Sequence, residues 1–228
     1  MAAGKARDDL YDLFKRAVTG FILGISFYFV FFHLPPLCFS IALAGILGII
    51  LISEWPRLFH TKTTPFWALM PFYPIFSFIS MILLNQSMIH RDLIVIVFIL
   101  VFAFDFGSYA AGSLFGKHKL APEISPRKSW EGAIGGYFLS FIFLNIILYV
   151  TGAPMSIFMR FYLTFALCSL ALCGDFFESL LKRRAGIKDS GSLLPGHGGF
   201  LDRFDGLMFV LPLVYLFRDF FARMFGLI

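Results

Sequence analysis

Apolar runs of about 20 residues recur along this chain, and they restrict its fold more than any other feature. A helix rises about 1.5 Å per residue, so each run can cross the roughly 30 Å of hydrocarbon in a bilayer. Seven candidate spans fall at approximately 17–32, 37–52, 66–84, 93–115, 132–150, 157–181 and 204–225. Only 14% of the 228 residues are charged and 59% are hydrophobic, whereas soluble domains carry about 25% charged residues. The runs are continuous rather than alternating, which excludes a transmembrane barrel. The expected fold is an all-α polytopic integral membrane protein of about seven transmembrane helices.

The placement of the bases sets the expected orientation. Segments outside the spans can be numbered from the N-terminus. The odd ones hold Lys5, Arg7, Lys15 and Arg16; Arg57 and Lys62; Lys117, Lys119, Arg127 and Lys128; and Lys182, Arg183, Arg184, Lys188 and Arg203. That is 15 of the 19 Lys and Arg, while the even segments hold only Arg91. Such bases collect on the cytoplasmic side. The N-terminus and both long polar loops are therefore expected to face the cytoplasm, from an inner or cytoplasmic membrane. Arg218 and Arg223, near the far end of the last span, run against that trend. The first span is no cleavable signal, because Asp8, Asp9 and Asp12 mix with its flanking bases and no small-residue cleavage site follows. Cys38, Cys168 and Cys173 fall in apolar spans without metal or disulfide spacing, so packing is their expected use. The basic side suits anionic headgroups, and no nucleic-acid partner is expected.

Chemistry is expected where acids enter the membrane. Asp105, in "VFAFDFGSYAAGSLFGK", and Asp175, in "LALCGDFFESLLKRR", lie inside spans. A carboxylate at that depth costs a few kcal/mol unless it faces a partner, a cavity or a metal. One such acid could simply fix helix packing. Two, each beside glycine and each leading into a basic loop, favour function. Asp175, Glu178, Ser179 and Lys182 follow i, i+3, i+4, i+7 spacing and so share one helix face. That face is too polar for lipid and calls for a protein-lined, water-accessible cleft.

The segment "KDSGSLLPGHGGFLDRFDG", 188–206, concentrates five Gly with acids, bases and a His. Gly191, Gly196, Gly198 and Gly199 allow tight backbone turns that present N–H groups to an anion. Lys182, Arg183 and Lys188 supply positive charge. Asp189, Asp202 and Asp205 are short carboxylates of the kind that hold Mg²⁺, and Asp202 and Asp205 share a face if a helix begins there. Together these describe a Mg²⁺–polyphosphate site. His197 is a candidate general base or phosphate ligand. In the other loop, "FGKHKLAPEISPRKSWEGAIGG", either Pro126 after Ser125 or Ser129 before Trp130–Glu131 can start a helix whose free N–H groups favour phosphate. "GSLFGKH" is no P-loop, since it lacks one residue between its glycines and has His118 in place of Ser or Thr. The GxxxG pairs at Gly20–Gly24 and Gly132–Gly136 read as helix packing.

The stretch from Ser179 to Gly206 closely resembles the signature of phosphatidate cytidylyltransferases (CDP-diacylglycerol synthases). It reads Ser179, Lys182–Arg183, Lys188–Asp189, Gly191, Pro195-Gly196-His197-Gly198-Gly199 and Asp202-Arg203-Phe204-Asp205, in the family's order. "FGKHKLAPEISPRKSWEG" is similar to the family's second loop. The resemblance covers Asp105 to Gly206 well and the first ninety residues hardly at all. It implies CTP and phosphatidate as substrates, CDP-diacylglycerol and pyrophosphate as products, and Mg²⁺ with a possible second, monovalent cation. It also implies Asp175 and Asp202 as metal ligands, Ser179 beside them, and Lys182, Arg183 and Lys188 on phosphates. Asp189, His197 and Asp205 join the catalytic set. Asp105, Lys117, Lys119, Ser125, Arg127, Lys128, Glu131, Gly198, Gly199 and Arg203 join the substrate-binding set.

On this reading, residues 1–92 are packing helices, and 93–228 carry the chemistry in motif loops 116–131 and 182–203. The cleft opens to both cytoplasm and bilayer. Two departures stand out: Asp105 is followed by Phe106 where the family usually has Thr or Val, and the chain is short at its N-terminal end. A homodimer is a possible assembly. The same site could serve an isoprenoid lipid instead. A cation- or proton-coupled transporter using Asp105 and Asp175 is a further reading, although no matching acids precede residue 100.

Overall fold

The computed structural model describes residues 2–59, 63–196 and 198–228, with side chains from Val18 onward. The apolar runs fold as helices. α1 covers Ala2–His33, α2 Pro36–Ile49, α3 Thr64–Met70, α4 Phe76–Gln86, α5 Arg91–Phe115, α6 Trp130–Thr151 and α7 Ile157–Arg184. A two-stranded ribbon, β1 Lys119–Ala121 and β2 Ser125–Ser129, joins α5 to α6, and α8 Leu201–Phe204, α9 Leu207–Leu216 and α10 Arg218–Met224 close the chain. Among the described residues, five helical stretches are long and apolar enough to cross a membrane: Pro36–Leu58, Thr64–Gln86, Arg91–Phe115, Trp130–Thr151 and Ile157–Arg184. This is a helical integral membrane protein. Lys62, counted above among the loop bases, and His197 lie outside the described residues, as do the side chains of Lys5, Arg7, Lys15 and Arg16.

Two of these stretches change pitch, and proline explains both. α2 widens into a π turn at Ile50–Glu54 and tightens into a 3₁₀ turn at Trp55–Leu58 around Pro56. α3 and α4 are joined by a π turn at Pro71–Ile75 with Pro74 inside it. Proline has no N–H to give and its ring crowds the carbonyl four residues back, so the ladder widens instead of breaking. These two turns place Glu54 against the polar segment after α7 and Tyr73 against Phe177 and Phe209.

The last expected span, 204–225, is not one helix. α9 ends at Leu216, and Phe217 leaves helical geometry at φ −110°, ψ 27°. The Arg218 guanidinium donates to the Tyr215 carbonyl at 3.3 Å and lies 5.0 Å from the Tyr215 ring centroid. An arginine within this apolar run turns the chain to find those partners, and α10 restarts beyond it. The loop before α6 folds as a short β-ribbon beside the helices, and of the two helix starts expected there Pro126 lies in β2. Ser129 is the N-cap, accepting from Gly132 N at 3.1 Å.

α5 and α6 form the tightest seam. A Cβ on Gly107 would lie 2.7 Å from the Gly135 carbonyl, and one on Gly136 would lie 2.6 Å from the Phe104 carbonyl. Small residues here let two backbones touch. Gly24, by contrast, has nothing within 4 Å of its would-be Cβ, and both Gly20 and Gly24 are exposed. That GxxxG pair serves no packing within the described chain.

The bundle is tied at both ends. At one end Asn85 donates to the Pro36 carbonyl at 2.7 Å and to Ser40 at 3.0 Å, and Arg91 donates to the Phe31 carbonyl. At the other end the polar segments meet one another and α1: Thr19 of α1 donates to the Pro195 carbonyl at 3.1 Å, and Arg183 to the Ile124 carbonyl at 3.2 Å. Gly136→Leu is expected to destabilise by about 1–3 kcal/mol, because bulk forced into a filled contact must displace backbone. Gly24→Leu is expected to shift stability by no more than about 0.5 kcal/mol. Thermal unfolding of both variants in detergent checks the contrast.

Candidate active site

The cytoplasm-predicted end of α7 carries the polar stripe. Asp175, Glu178, Ser179 and Lys182 share one face, and Glu178, Ser179 and Lys182 are buried at 0%, 8% and 8% exposure. The stripe therefore faces protein, not lipid. Ser179 donates to Asp175 Oδ1 at 3.3 Å. The Lys182 ammonium reaches Asp202 Oδ1 at 2.7 Å and lies 3.0 Å from Glu178 Oε1, where it is close enough for ion pairing but off the line of a hydrogen bond.

Asp202 is held on every side. Its Oδ2 accepts from the Ser190 N–H at 2.9 Å, the Ser190 hydroxyl at 2.9 Å and the Gly199 N–H at 2.8 Å. Burial pushes its carboxyl up, but the Lys182 ammonium and the Gly199 N–H outweigh burial and hold it below the usual carboxylate range. Asp202 is thus anionic and oriented. Gly198, at φ +81°, adopts a left-handed conformation that side chains disfavour, and a Cβ there would lie 2.6 Å from Asp202 Oδ2. Backbone donors reach Asp202 only because glycine stands at 198 and 199.

The β-ribbon brings a second cation. Lys128, at the end of β2, pairs with Asp175 and lies 4.8 Å from the Phe176 ring centroid. The ribbon is braced by Glu131, which accepts from the backbone N–H groups of Lys117 and His118 at 3.2 Å and meets His118 Nδ1 at 2.5 Å. Arg183, besides reaching the ribbon, donates to the Ile187 carbonyl at 3.3 Å. Asp105 is exposed on α5, yet it lies close enough to feel the charges of Asp175, Lys128 and Arg203. Asp205, just past α8, accepts from the Gly206 N–H at 2.7 Å and feels the charges of Asp175, Asp105 and Lys182.

Most of the expected residues therefore gather: Asp105, Lys128, Asp175, Ser179, Lys182, Asp202, Arg203 and Asp205. Lys117, Lys119, Arg127, Lys188 and Asp189 are exposed, with Ser125 half-buried on the ribbon. Asp189 lies beside the loop turn, its Cβ 3.3 Å from where a Gly198 Cβ would stand. Glu131 braces the ribbon rather than facing the acids. Two residues were not expected here. Glu54 is fully buried against the 190–201 segment, and the Tyr73 hydroxyl is buried near Glu178, Asp205 and Asp175. The only sequence signal for Glu54 is an acid at the end of an apolar run, in "LISEWPRL".

The donor set suits a hard cation. Asp105, Asp175, Glu178, Asp202 and Asp205 carry the carboxylate oxygens such an ion would take, and both Glu178 oxygens are buried without a hydrogen-bond partner. Among the described residues, no three Asp, Glu, His or Cys side chains close on one point. Mg²⁺ does not require such a cage, since it is commonly held by one or two carboxylates together with substrate phosphates.

A cytidylyltransferase family model matches residues 62–221. The chain belongs to the cytidylyltransferase family. It is 37% identical over 192 residues to the phosphatidate cytidylyltransferase of Haemophilus influenzae, covering 76% of this chain and 65% of that one. It is 32% identical over 221 residues to the phosphatidate cytidylyltransferase of Rickettsia bellii, covering 94% of this chain and 93% of that one. The like-named Staphylococcus aureus protein is 48% identical over 121 residues, or 53% of this chain. The chain spans about half the length of that relative, 46%. The family match takes in both polar loops, α7 and the glycine-rich segment.

Lys182 is the only cation within ion-pair distance of Glu178 and Asp202 among the described residues. Lys182→Met should therefore destabilise by about 3–5 kcal/mol, the cost of leaving buried charge uncompensated. Lys188→Met, at an exposed position, should leave the unfolding midpoint nearly unchanged. Calorimetry or intrinsic-fluorescence melting in detergent reads both.

Proposed function

We propose that this chain transfers the cytidylyl group of CTP to phosphatidate, giving CDP-diacylglycerol and pyrophosphate. The observation that carries the reading is the meeting of Lys128–Asp175 and Lys182–Asp202 at one end of the bundle, inside the region that matches the cytidylyltransferase family. Paired acids and bases at one end of a membrane bundle suit a reaction between two anions. The names of the relatives support phosphatidate as the acceptor.

Asp175 and Asp202 would hold Mg²⁺, with Glu178 and Asp205 beside them, and a second, monovalent cation would bind in addition. When bound, the metal would supply positive charge to the phosphoryl oxygens as negative charge builds up there. The chain's own residues do the rest. Lys128, Lys182, Arg183, Lys188 and Arg203 would offset the repulsion between substrates, and Lys117, Lys119 and Arg127 would add attraction at the mouth. A phosphate oxygen of phosphatidate attacks the α-phosphorus of CTP in line. The new P–O bond forms as the bond to the bridging oxygen breaks, and pyrophosphate leaves with that electron pair. The nucleophile is already ionised near neutral pH, so the protein must position groups rather than remove a proton. Asp105, exposed on α5, would mark the side where a lipid headgroup enters from the bilayer. Most of the charged mouth belongs to the odd-numbered segments, so the mouth would face the cytoplasm.

In detergent with phosphatidate, Mg²⁺ and α-labelled CTP, label is expected in the lipid phase and EDTA should abolish it. Asp175→Asn and Asp202→Asn should each lower that rate by roughly 10²-fold or more while the protein stays folded. Near-normal transfer by either variant would remove that residue from the site.

A further inference from the structure

Glu54 lies before the residues that the family model matches, 62–221, yet its carboxylate is fully buried among backbone donors. Its Oε1 accepts from the Phe200 N–H at 2.8 Å, and its Oε2 from the Leu201 N–H at 2.7 Å and the Ser190 hydroxyl at 3.2 Å. No Lys, Arg or His among the described residues lies within ion-pair distance of it. A buried anion satisfied only by N–H and O–H groups is stabilised by the shape of the segment that supplies them, and it fixes that shape in return.

The segment is the one that carries Asp202. The Ser190 hydroxyl lies within hydrogen-bonding distance of both Glu54 Oε2 and Asp202 Oδ2, at 3.2 and 2.9 Å. One hydroxyl has one proton, so it donates to one of these oxygens at a time or shares the proton between them, and in either case it stands as the bridge between the two carboxylates. Glycine at 191 and 199 makes room. A Cβ on Gly191 would lie 3.1 Å from Glu54 Oε1, and one on Gly199 would lie 2.6 Å from both the Glu54 carboxyl carbon and Oε2. The π turn at Ile50–Glu54 delivers the side chain to this position. Widened turns of this kind are frequent at functional sites.

We infer that Glu54 is a positioning residue: through Ser190 and the 199–201 backbone it fixes where Asp202 stands, and hence how tightly a divalent cation is held. The inference rests on the cytidylyl-transfer reading for its consequence in turnover, but its geometry can be tested apart from turnover. Groups that orient a metal ligand typically contribute 10–100-fold to metal affinity.

The test compares wild-type, Glu54→Gln and Ser190→Ala full-length protein in detergent, each first shown to be folded by its helical circular dichroism. Hydrogen exchange of peptides covering 188–206 reads the clamp, Mn²⁺ binding by electron paramagnetic resonance reads the carboxylates, and the Mg²⁺ dependence of lipid labelling reads the consequence. For Glu54→Gln the expected results are exchange in that segment faster by about tenfold, Mn²⁺ bound about tenfold or more weakly, and turnover largely restored by excess Mg²⁺. Ser190→Ala should show the same metal shift with a smaller change in exchange. Unchanged exchange overturns the inference. So does faster exchange with unchanged Mn²⁺ affinity, which would make Glu54 a brace alone. If Glu54→Gln does not fold, Ser190→Ala decides, and unaltered Mn²⁺ binding there sinks the idea. A wild-type protein that labels no lipid would defeat the functional reading, while exchange and Mn²⁺ binding would still judge Glu54.

Discussion

A lysine ammonium shared by two buried carboxylates is the contact on which this architecture turns. Lys182 joins Glu178, one turn earlier on α7, to Asp202 on the segment that follows. In a low-dielectric interior none of these charges is tolerable alone, so the glycine-rich segment must fold back over the helix end to complete the set. That return brings Asp205 close to Asp175 and Asp105 and seals Glu54 under Ser190. Hydrophobic burial assembles the helices, but it has no preference about where a polar loop lies. The ion pairs supply that preference.

Long apolar elements were legible because length and composition alone define them. The helices observed at Pro36–Leu58, Thr64–Gln86, Arg91–Phe115, Trp130–Thr151 and Ile157–Arg184 contain or closely bracket the runs expected there. The stripe on α7 was also legible, since helical periodicity places Asp175, Glu178, Ser179 and Lys182 together whatever surrounds them. The break at Phe217 was not. Hydropathy sums over a window and does not register an arginine that captures the carbonyl three residues before it. Nor was the β-ribbon, whose short, charged strands lack the alternation that marks a half-buried sheet.

The least legible part was long-range. Glu54 is 146 positions from Phe200 in sequence, and nothing local distinguishes it from an acid that merely ends a span. Its partners are backbone N–H groups, which every non-proline residue owns and no sequence pattern advertises. Tyr73 is similar: its ring packs on Phe177 and Phe209 at 5.0 and 5.7 Å, while its hydroxyl reaches toward the acids. The helices expected only to pack thus contribute polar groups to the site, and the two proline-widened turns are the devices that aim them.

The span of these contacts bears on biogenesis. Thr19 meets the Pro195 carbonyl across 176 positions and Glu54 meets the Leu201 N–H across 147. At about 5–20 residues per second of synthesis, Glu54 leaves the ribosome's active centre roughly 7–30 s before its partner exists. During that interval its carboxylate has none of its native donors and must be met by water, by a proton or by another chain. The site therefore closes late, when the glycine-rich segment arrives to cover Glu54 and only α9 and α10 are still to follow.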